Sequence, residues 1–197
     1  MSYFAIIVAY MLGSIPFGYL VSKYWKGINI LECGSGNIGF TNVLRIIGWP
    51  PAALVLVGDV GKGALAAWVG VQAGGEVLSI FCAMAALVGH SFSIFIKFKG
   101  GKLVATGFGV LLILTPKVAI AAAVTWLVTL AVSRYVSLAS IMAALGLFVF
   151  MFVFGVSNQI KVFLAVAALF VVYKHRVNIS RLMKGQEYKI GQKSGRN

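Results

Sequence analysis

Long apolar runs recur along the whole chain, and a backbone that must satisfy its own polar groups away from water does so as helices. The runs extend from about Tyr3 to Val21, Ala52 to Ala73, Val77 to Ile96, Val136 to Phe154 and Gln159 to Tyr173. Of the 197 residues, 60% are hydrophobic and only 11% are charged, a balance no water-soluble domain of this size could bury. No polar, Pro-rich or Ser-rich linker separates the runs, so residues 1–197 are expected to form a single membrane-embedded domain, all-α and polytopic. The first run has neither a basic leader nor a small-x-small cleavage pattern and is read as a mature helix. Tyr188 to Asn197 are polar and expected to fray.

Cation placement decides the number of crossings. As one helix, Val104 to Val132 would measure about 43 Å, too long for a ~30 Å hydrocarbon core, and Pro116 offers a break. Lys23 and Lys26 follow the first run, Lys97, Lys99 and Lys102 the third, and Lys174, Arg176, Arg181 and Lys184 the last. Such clusters stay in the cytoplasm. Splitting at Pro116 puts all three on that side, which predicts about seven transmembrane helices, N-terminus outside and C-terminus cytoplasmic. The piece from Val104 to Leu114 would then rise only about 16 Å and must be sheltered by neighbours, as segments lining a cavity are.

Seventeen Lys and Arg against four acidic residues give a net charge of +13. Because the cations fall between and after the apolar runs instead of on one polar face, they point to anionic lipid and phosphate-bearing substrates, not to nucleic acid. Cys33 stands in a polar loop and Cys82 inside an apolar run, a pairing suited to neither a disulfide nor a metal site. No metal or cofactor is expected.

Three of the polar segments gather the unusual residues. The first, Gly34-Ser35-Gly36-Asn37-Ile38-Gly39-Phe40-Thr41-Asn42-Val43-Leu44-Arg45, contains G-x-G-x-x-G, but no strand precedes it and a dinucleotide fold is excluded. A glycine turn opening a helix still offers N–H groups to an anion, and Thr41 and Arg45, one helical turn apart, share a face. The alternative is an interfacial helix whose Arg45 snorkels. The second, Lys97-Phe98-Lys99-Gly100-Gly101-Lys102, is a basic glycine turn feeding a helix, which reads either as a phosphate cradle or as a tight positive-inside loop. It lacks the first glycine and the Ser or Thr of a Walker A motif. The third runs from His175 and Arg176 through Asn178 and Arg181, and His175 and Asn178, three apart, share a helix face.

Inside the second run lie Asp59 and Lys62, each expensive in a bilayer and spaced to neutralise the other. They read as a buried pair supporting a site, and His90, with Ser91 and Ser93, stands near the end of the third run.

In this order the motifs resemble the PlsY family, bacterial membrane acyltransferases. The pieces are Gly13-Ser14-Ile15-Pro16-Phe17-Gly18, Gly34-Ser35-Gly36-Asn37 with Thr41-Asn42 and Arg45, Asp59 with Lys62-Gly63, Gly89-His90, Phe98-Lys99-Gly100-Gly101-Lys102, Val104-Ala105-Thr106, and His175-Arg176 with Asn178, Arg181, Gly185 and Glu187. Phe40 stands where the family has a small residue. Leu103 stands where it has glycine, and since leucine does not readily take positive φ, either the loop differs here or activity is reduced.

The resemblance implies transfer of an acyl group from acyl phosphate to glycerol 3-phosphate at the inner face of the bacterial cytoplasmic membrane, without a cofactor. It implies Ser35, Arg45, Lys102 and His175 as catalytic residues. Gly34, Gly36, Asn37, Thr41, Asn42, Gly100, Gly101, Thr106, Asn178 and Arg181 would bind substrate phosphate, with Asp59, Lys62, His90 and Glu187 in support. Acyl phosphate, glycerol 3-phosphate and membrane lipid are the implied partners; the oligomeric state is left open. An H-x-x-x-x-D pair is missing, since Phe95 follows His90 and Ser180 follows His175 by five, which argues against the acyl-CoA type of acyltransferase. Either His175 or a substrate phosphate oxygen could take the proton of the attacking hydroxyl. A transporter for an organic phosphate would more often place its polar residues near the midplane and repeat itself, and a lipid phosphate phosphatase would need paired His and Asp; neither pattern is present.

Overall fold

The computed structural model describes residues 2–192, which are helical with no β-strand among them. Nine α-helices follow in order: α1 (Ser2–Ser14), α2 (Phe17–Lys26), α3 (Phe40–Ile46), α4 (Trp49–Ser91), α5 (Val104–Leu114), α6 (Pro116–Ser133), α7 (Val136–Val153), α8 (Asn158–Lys174) and α9 (Arg176–Met183), with 3-10 turns at Ile30–Glu32 and Ile94–Ile96. Two compact units emerge, residues 2–110 with 191–192, and residues 111–190.

In the first unit the run expected as one helix from Tyr3 to Val21 is broken. Pro16 has no N–H and its ring clashes with the preceding turn, so α1 stops at Ser14 and α2 restarts at Phe17, ending on Gly27 in the left-handed region (φ +67). At 43 residues, α4 would be about 65 Å long if straight. It is not: Gly74 (φ −176, ψ 24) and Gly75 (φ +74, ψ −158) leave the helical region and the chain doubles back. The Ser79 hydroxyl donates to the Ala67 carbonyl at 2.6 Å across the hairpin. This is the boundary the sequence marks between Ala73 and Val77.

Small residues set the closeness of these helices. Ala5 and Ala9 of α1 pack with Ala66 from one arm of α4 and Leu78, Cys82 and Ala86 from the other. Gly13 lies against the Ala86 backbone and Gly89 against the Tyr10 carbonyl, positions where a Cβ would collide with main chain. Small-residue contact of this kind replaces the hydrophobic effect where lipid surrounds the helices.

In the second unit α6 begins at Pro116 after an extended Thr115 (φ −151), the break expected from the sequence. Proline at the first helical position needs no donor. Thr125, Thr129, Ser133 and Ser140 each return their hydroxyl to the carbonyl four residues back, so none is left unsatisfied. The Trp126 indole donates to Ser140 Oγ at 3.1 Å, linking α6 to α7. Helix α8 bends by 56° into α9 at His175. Tyr188 to Asn197 are only partly described; instead of fraying, Ile190 is bonded through its N–H to the Arg134 carbonyl at 2.8 Å, and residues 193–197 lie outside the described residues.

Outward faces in both units are apolar. Ile7, Val57 and Phe81 in the first, and Val124, Val149 and Val162 in the second, are each more than half exposed, which suits a lipid environment. Four helical stretches are long and apolar enough to cross a bilayer, five if α8 and α9 count as one bent span. The stretch Trp49–Ile96 is one of the four and contains the hairpin, and α5, with 11 residues, rises about 16 Å and is too short to cross alone. Reaching the expected seven requires counting α8 with α9 as one bent span, and both arms of α4, and α5, as separate crossings.

Candidate active site

The first glycine segment folds as a loop wound around one asparagine. Gly34 (φ +58) and Gly36 (φ +68) supply left-handed turns that side-chain-bearing residues resist. Asn42, only 2% exposed, accepts the Ser35 N–H at 3.0 Å and directs its amide group toward the carbonyls of Cys33 and Asn37, at 3.0 and 2.9 Å, and that of Ile30 at 3.4 Å. Expected among the phosphate ligands, Asn42 has its amide taken up by its own loop and sets the position of Ser35. Asn37 accepts the Gly39 N–H at 2.8 Å, a short turn that leads into α3. Thr41 and Arg45 then stand one turn apart on α3, both half-buried, and Ser35 is exposed. Phe40, the unexpected bulky residue, packs edge-on against Trp49 at 5.9 Å between centroids.

The second segment is tied to the same apolar cluster. Ile30, Ile38 and Val43, which flank the first loop, are buried with Ala52, Val55 and Ile96, and Ile96 opens the second loop. That loop is tightly clipped: Ser93 donates its N–H to Lys99 O, accepts the Phe98 N–H at 2.8 Å, and donates its hydroxyl to the Ser14 carbonyl at 2.5 Å. Lys97 and Phe98 are both left-handed, at φ +55 and +57. So is Leu103 at φ +74, with its side chain 1% exposed. Leucine does take positive φ here, and its burial holds it in a conformation that costs about 1–2 kcal/mol. Lys102 is half-buried and Thr106 wholly buried one turn into α5, its backbone carbonyl against Gly63.

Beneath this turn lies a buried charged group. Asp59 and Lys62 are 1% and 4% exposed and pair at 2.8 Å, as their spacing predicts. Lys62 also donates to the Ile15 carbonyl at 2.7 Å, at the break between α1 and α2. His90, 3% exposed, brings Nδ1 to 3.7 Å from Asp59 Oδ1.

In the second unit the candidates cluster around the bend after α8. The buried His175 donates from Nδ1 to the Val171 carbonyl at 2.8 Å, which in a neutral ring puts the lone pair on Nε2. Asn178 donates to Glu187 Oε1 at 2.7 Å, and Ser137 of α7 donates to the same oxygen at 2.8 Å. Glu187 thus ties the segment after α9 to both helices. Arg181 lies on α9, its carbonyl accepting the Gln186 N–H. Tyr10, which the sequence does not single out, donates its hydroxyl to the Phe92 carbonyl at 2.9 Å, and Ser14, part of a sequence motif, accepts the Ser93 hydroxyl at its main-chain carbonyl; both brace the second loop against α1. Tyr10 does not stand out in sequence, because it is an isolated polar residue in an apolar run.

Comparison with known proteins places this arrangement. The family profile described as glycerol-3-phosphate acyltransferase matches residues 3–185. Glycerol-3-phosphate acyltransferases of Carboxydothermus hydrogenoformans and Desulforamulus reducens are 47% and 46% identical to the chain. Each alignment covers 95% of this chain, and 95% and 94% of the respective relative. The crystal structure of PlsY, an integral membrane glycerol 3-phosphate acyltransferase, in its glycerol 3-phosphate form superposes with a TM-score of 0.92 at 40% identity, covering 96% of both chains. Its lysophosphatidic acid form gives 0.88 at 38%, covering 96% of this chain and 95% of that one. With helices, motifs and both kinds of comparison in agreement along nearly its whole length, the chain belongs to the PlsY-type glycerol-3-phosphate acyltransferase family.

Proposed function

We propose that this protein transfers an acyl group from acyl phosphate to glycerol 3-phosphate, giving lysophosphatidic acid and inorganic phosphate, the first step of phospholipid synthesis. The observation that carries the reading is the near-complete superposition on an acyltransferase crystallised in glycerol 3-phosphate and lysophosphatidic acid forms. The choice of acyl phosphate as donor follows from the resemblance and from the missing H-x-x-x-x-D pair. The whole chain acts as one catalytic domain.

In the reaction, a hydroxyl oxygen of glycerol 3-phosphate attacks the acyl carbonyl carbon, the bond from that carbon to the phosphate oxygen breaks, and inorganic phosphate leaves. An acyl phosphate is a mixed anhydride with a weakly basic leaving group, so positioning and charge stabilisation suffice and no covalent enzyme intermediate is needed. Arg45 and Lys102, with the two glycine loops, neutralise the phosphates. Ser35, Asn37 and Thr41 orient them, while His175, Asn178 and Arg181 bind glycerol 3-phosphate. For the hydroxyl proton, the resemblance favours a phosphate oxygen of the substrate over His175 as acceptor.

The topology that serves this chemistry has seven crossings, namely α1 with α2, the two arms of α4, α5, α6, α7 and α8. The N-terminus lies outside and the cation-bearing segments and C-terminus face the cytoplasm of a bacterial inner membrane. Purified protein incubated with glycerol 3-phosphate should form lysophosphatidic acid with acyl phosphate and not with acyl-CoA. Product from acyl-CoA alone would overturn the donor assignment.

A further inference from the structure

Gly101 lies outside the left-handed region, so its backbone does not require glycine. Its surroundings do: a Cβ there would overlap the His90 imidazole at Nε2, with Cε1 at 2.7 Å and Cδ2 at 3.0 Å. The Nε2 corner of the ring abuts the turn. The Gly101 N–H donates to the His90 carbonyl at 3.0 Å, and the Ser91 hydroxyl donates to the Gly101 carbonyl at 3.3 Å, so one short piece of α4 grips both peptide groups of Gly101. The opposite edge of the imidazole faces Asp59, which pairs with Lys62, which in turn holds the Ile15 carbonyl.

We propose that His90, seated on the Asp59–Lys62 pair, is a positioning residue that sets where the Gly100–Gly101–Lys102 turn stands. This rests on the assignment of Lys102 to phosphate binding above. A charge inside a membrane helix is costly without a partner, and a buried pair often stabilises no better than apolar residues of the same size. Here the pair ends on an imidazole whose far side is the phosphate turn. Continuity from Ile15 through Lys62, Asp59 and His90 to Gly101 also links the turn to the break in the first helix. The role is distinct from catalysis, because the ring is buried and touches the turn, not the reacting atoms.

A size exchange tests this. Gly101→Ala should lower kcat/KM about 100-fold or more, His90→Ala about 10-fold, and the double variant should lie within about threefold of His90→Ala alone, because removing the ring makes room for the new methyl. Gly100→Ala is the control: its Cβ would meet the main chain of His90 and Ser91, so His90→Ala should not rescue it. If Gly101→Ala does not fold, the comparison of the double variant with His90→Ala still decides. A double variant 10-fold or more below His90→Ala overturns the proposal. Wild-type kcat/KM in His90→Ala overturns it too, as does coupling seen in the melting temperature in detergent and absent from kcat/KM, which marks a merely structural contact. All variants are assayed with acyl phosphate and with acyl-CoA. Wild-type turnover from acyl-CoA alone refutes the donor assignment and leaves the coupling measurable with that donor. A wild type inactive with both removes the functional reading and this inference together.

Discussion

In the loop before α3 the left-handed positions are glycines, Gly34 and Gly36, whereas in the loop before α5 they are Lys97, Phe98 and Leu103. Gly100 and Gly101 of that second loop are not at positive φ, and what excludes a side chain from them is the main chain of His90 and Ser91 and the His90 ring. The same residue type therefore answers a torsional demand in one loop and a spatial demand in the other. The first loop is shaped from within, by Asn42. The second is shaped from outside, by Ser93 clipping its backbone and α4 gripping its glycines.

If both loops hold phosphate despite this difference, Arg45→Ala and Lys102→Ala should each lower kcat by about 100- to 1000-fold, the range for losing a charge-stabilising donor, while the proteins remain folded in detergent. Near-normal turnover in both would refute the phosphate assignment, and loss in one alone would show that the loops do not share the work. Asn42→Ala should come next. It strips a buried hub from the first loop and should lower unfolding stability by about 2–3 kcal/mol, with a fall in activity because Ser35 loses its anchor.

Leu103→Gly weighs two effects against each other. Relieving the left-handed strain gains about 1–2 kcal/mol, but removing a fully buried leucine costs about 3–5 kcal/mol, so the variant should be less stable by about 1–4 kcal/mol in detergent unfolding. A more stable variant would mean that strain, not packing, dominates the second loop. The smallest effect should be Gly36→Ala. Its cost is the left-handed torsion, about 1 kcal/mol, together with a Cβ only 3.0 Å from the Leu31 carbonyl, read as a small drop in melting temperature.

What was legible in the sequence follows the range of each interaction. The break at Pro116, the turn between Ala73 and Val77, and the Asp59–Lys62 pair all depend on residues within a turn of one another. Pro16 carries the same signal as Pro116, but the apolar run continues past it and masks the break between α1 and α2. The approach of His90 to Asp59 depends on the α4 hairpin, and the bond from Ser93 to Ser14, at 79 residues' separation, on α1 packing against it, which no local pattern encodes. Asn42 shows the reverse difficulty. Its motif marks it as important, but the sequence does not distinguish an amide that meets substrate from one that holds the loop.

Sidedness is the most direct test of the central claim that the cation-bearing segments face the cytoplasm. Ser35→Cys, Lys99→Cys and Lys184→Cys replace exposed residues, one in each segment, in a chain whose Cys33 and Cys82 have been replaced. An impermeant thiol reagent applied to vesicles of known orientation should label all three from the cytoplasmic side only. Labelling of any one from the opposite side would contradict the account, because that segment could not then meet a substrate supplied from the cytoplasm.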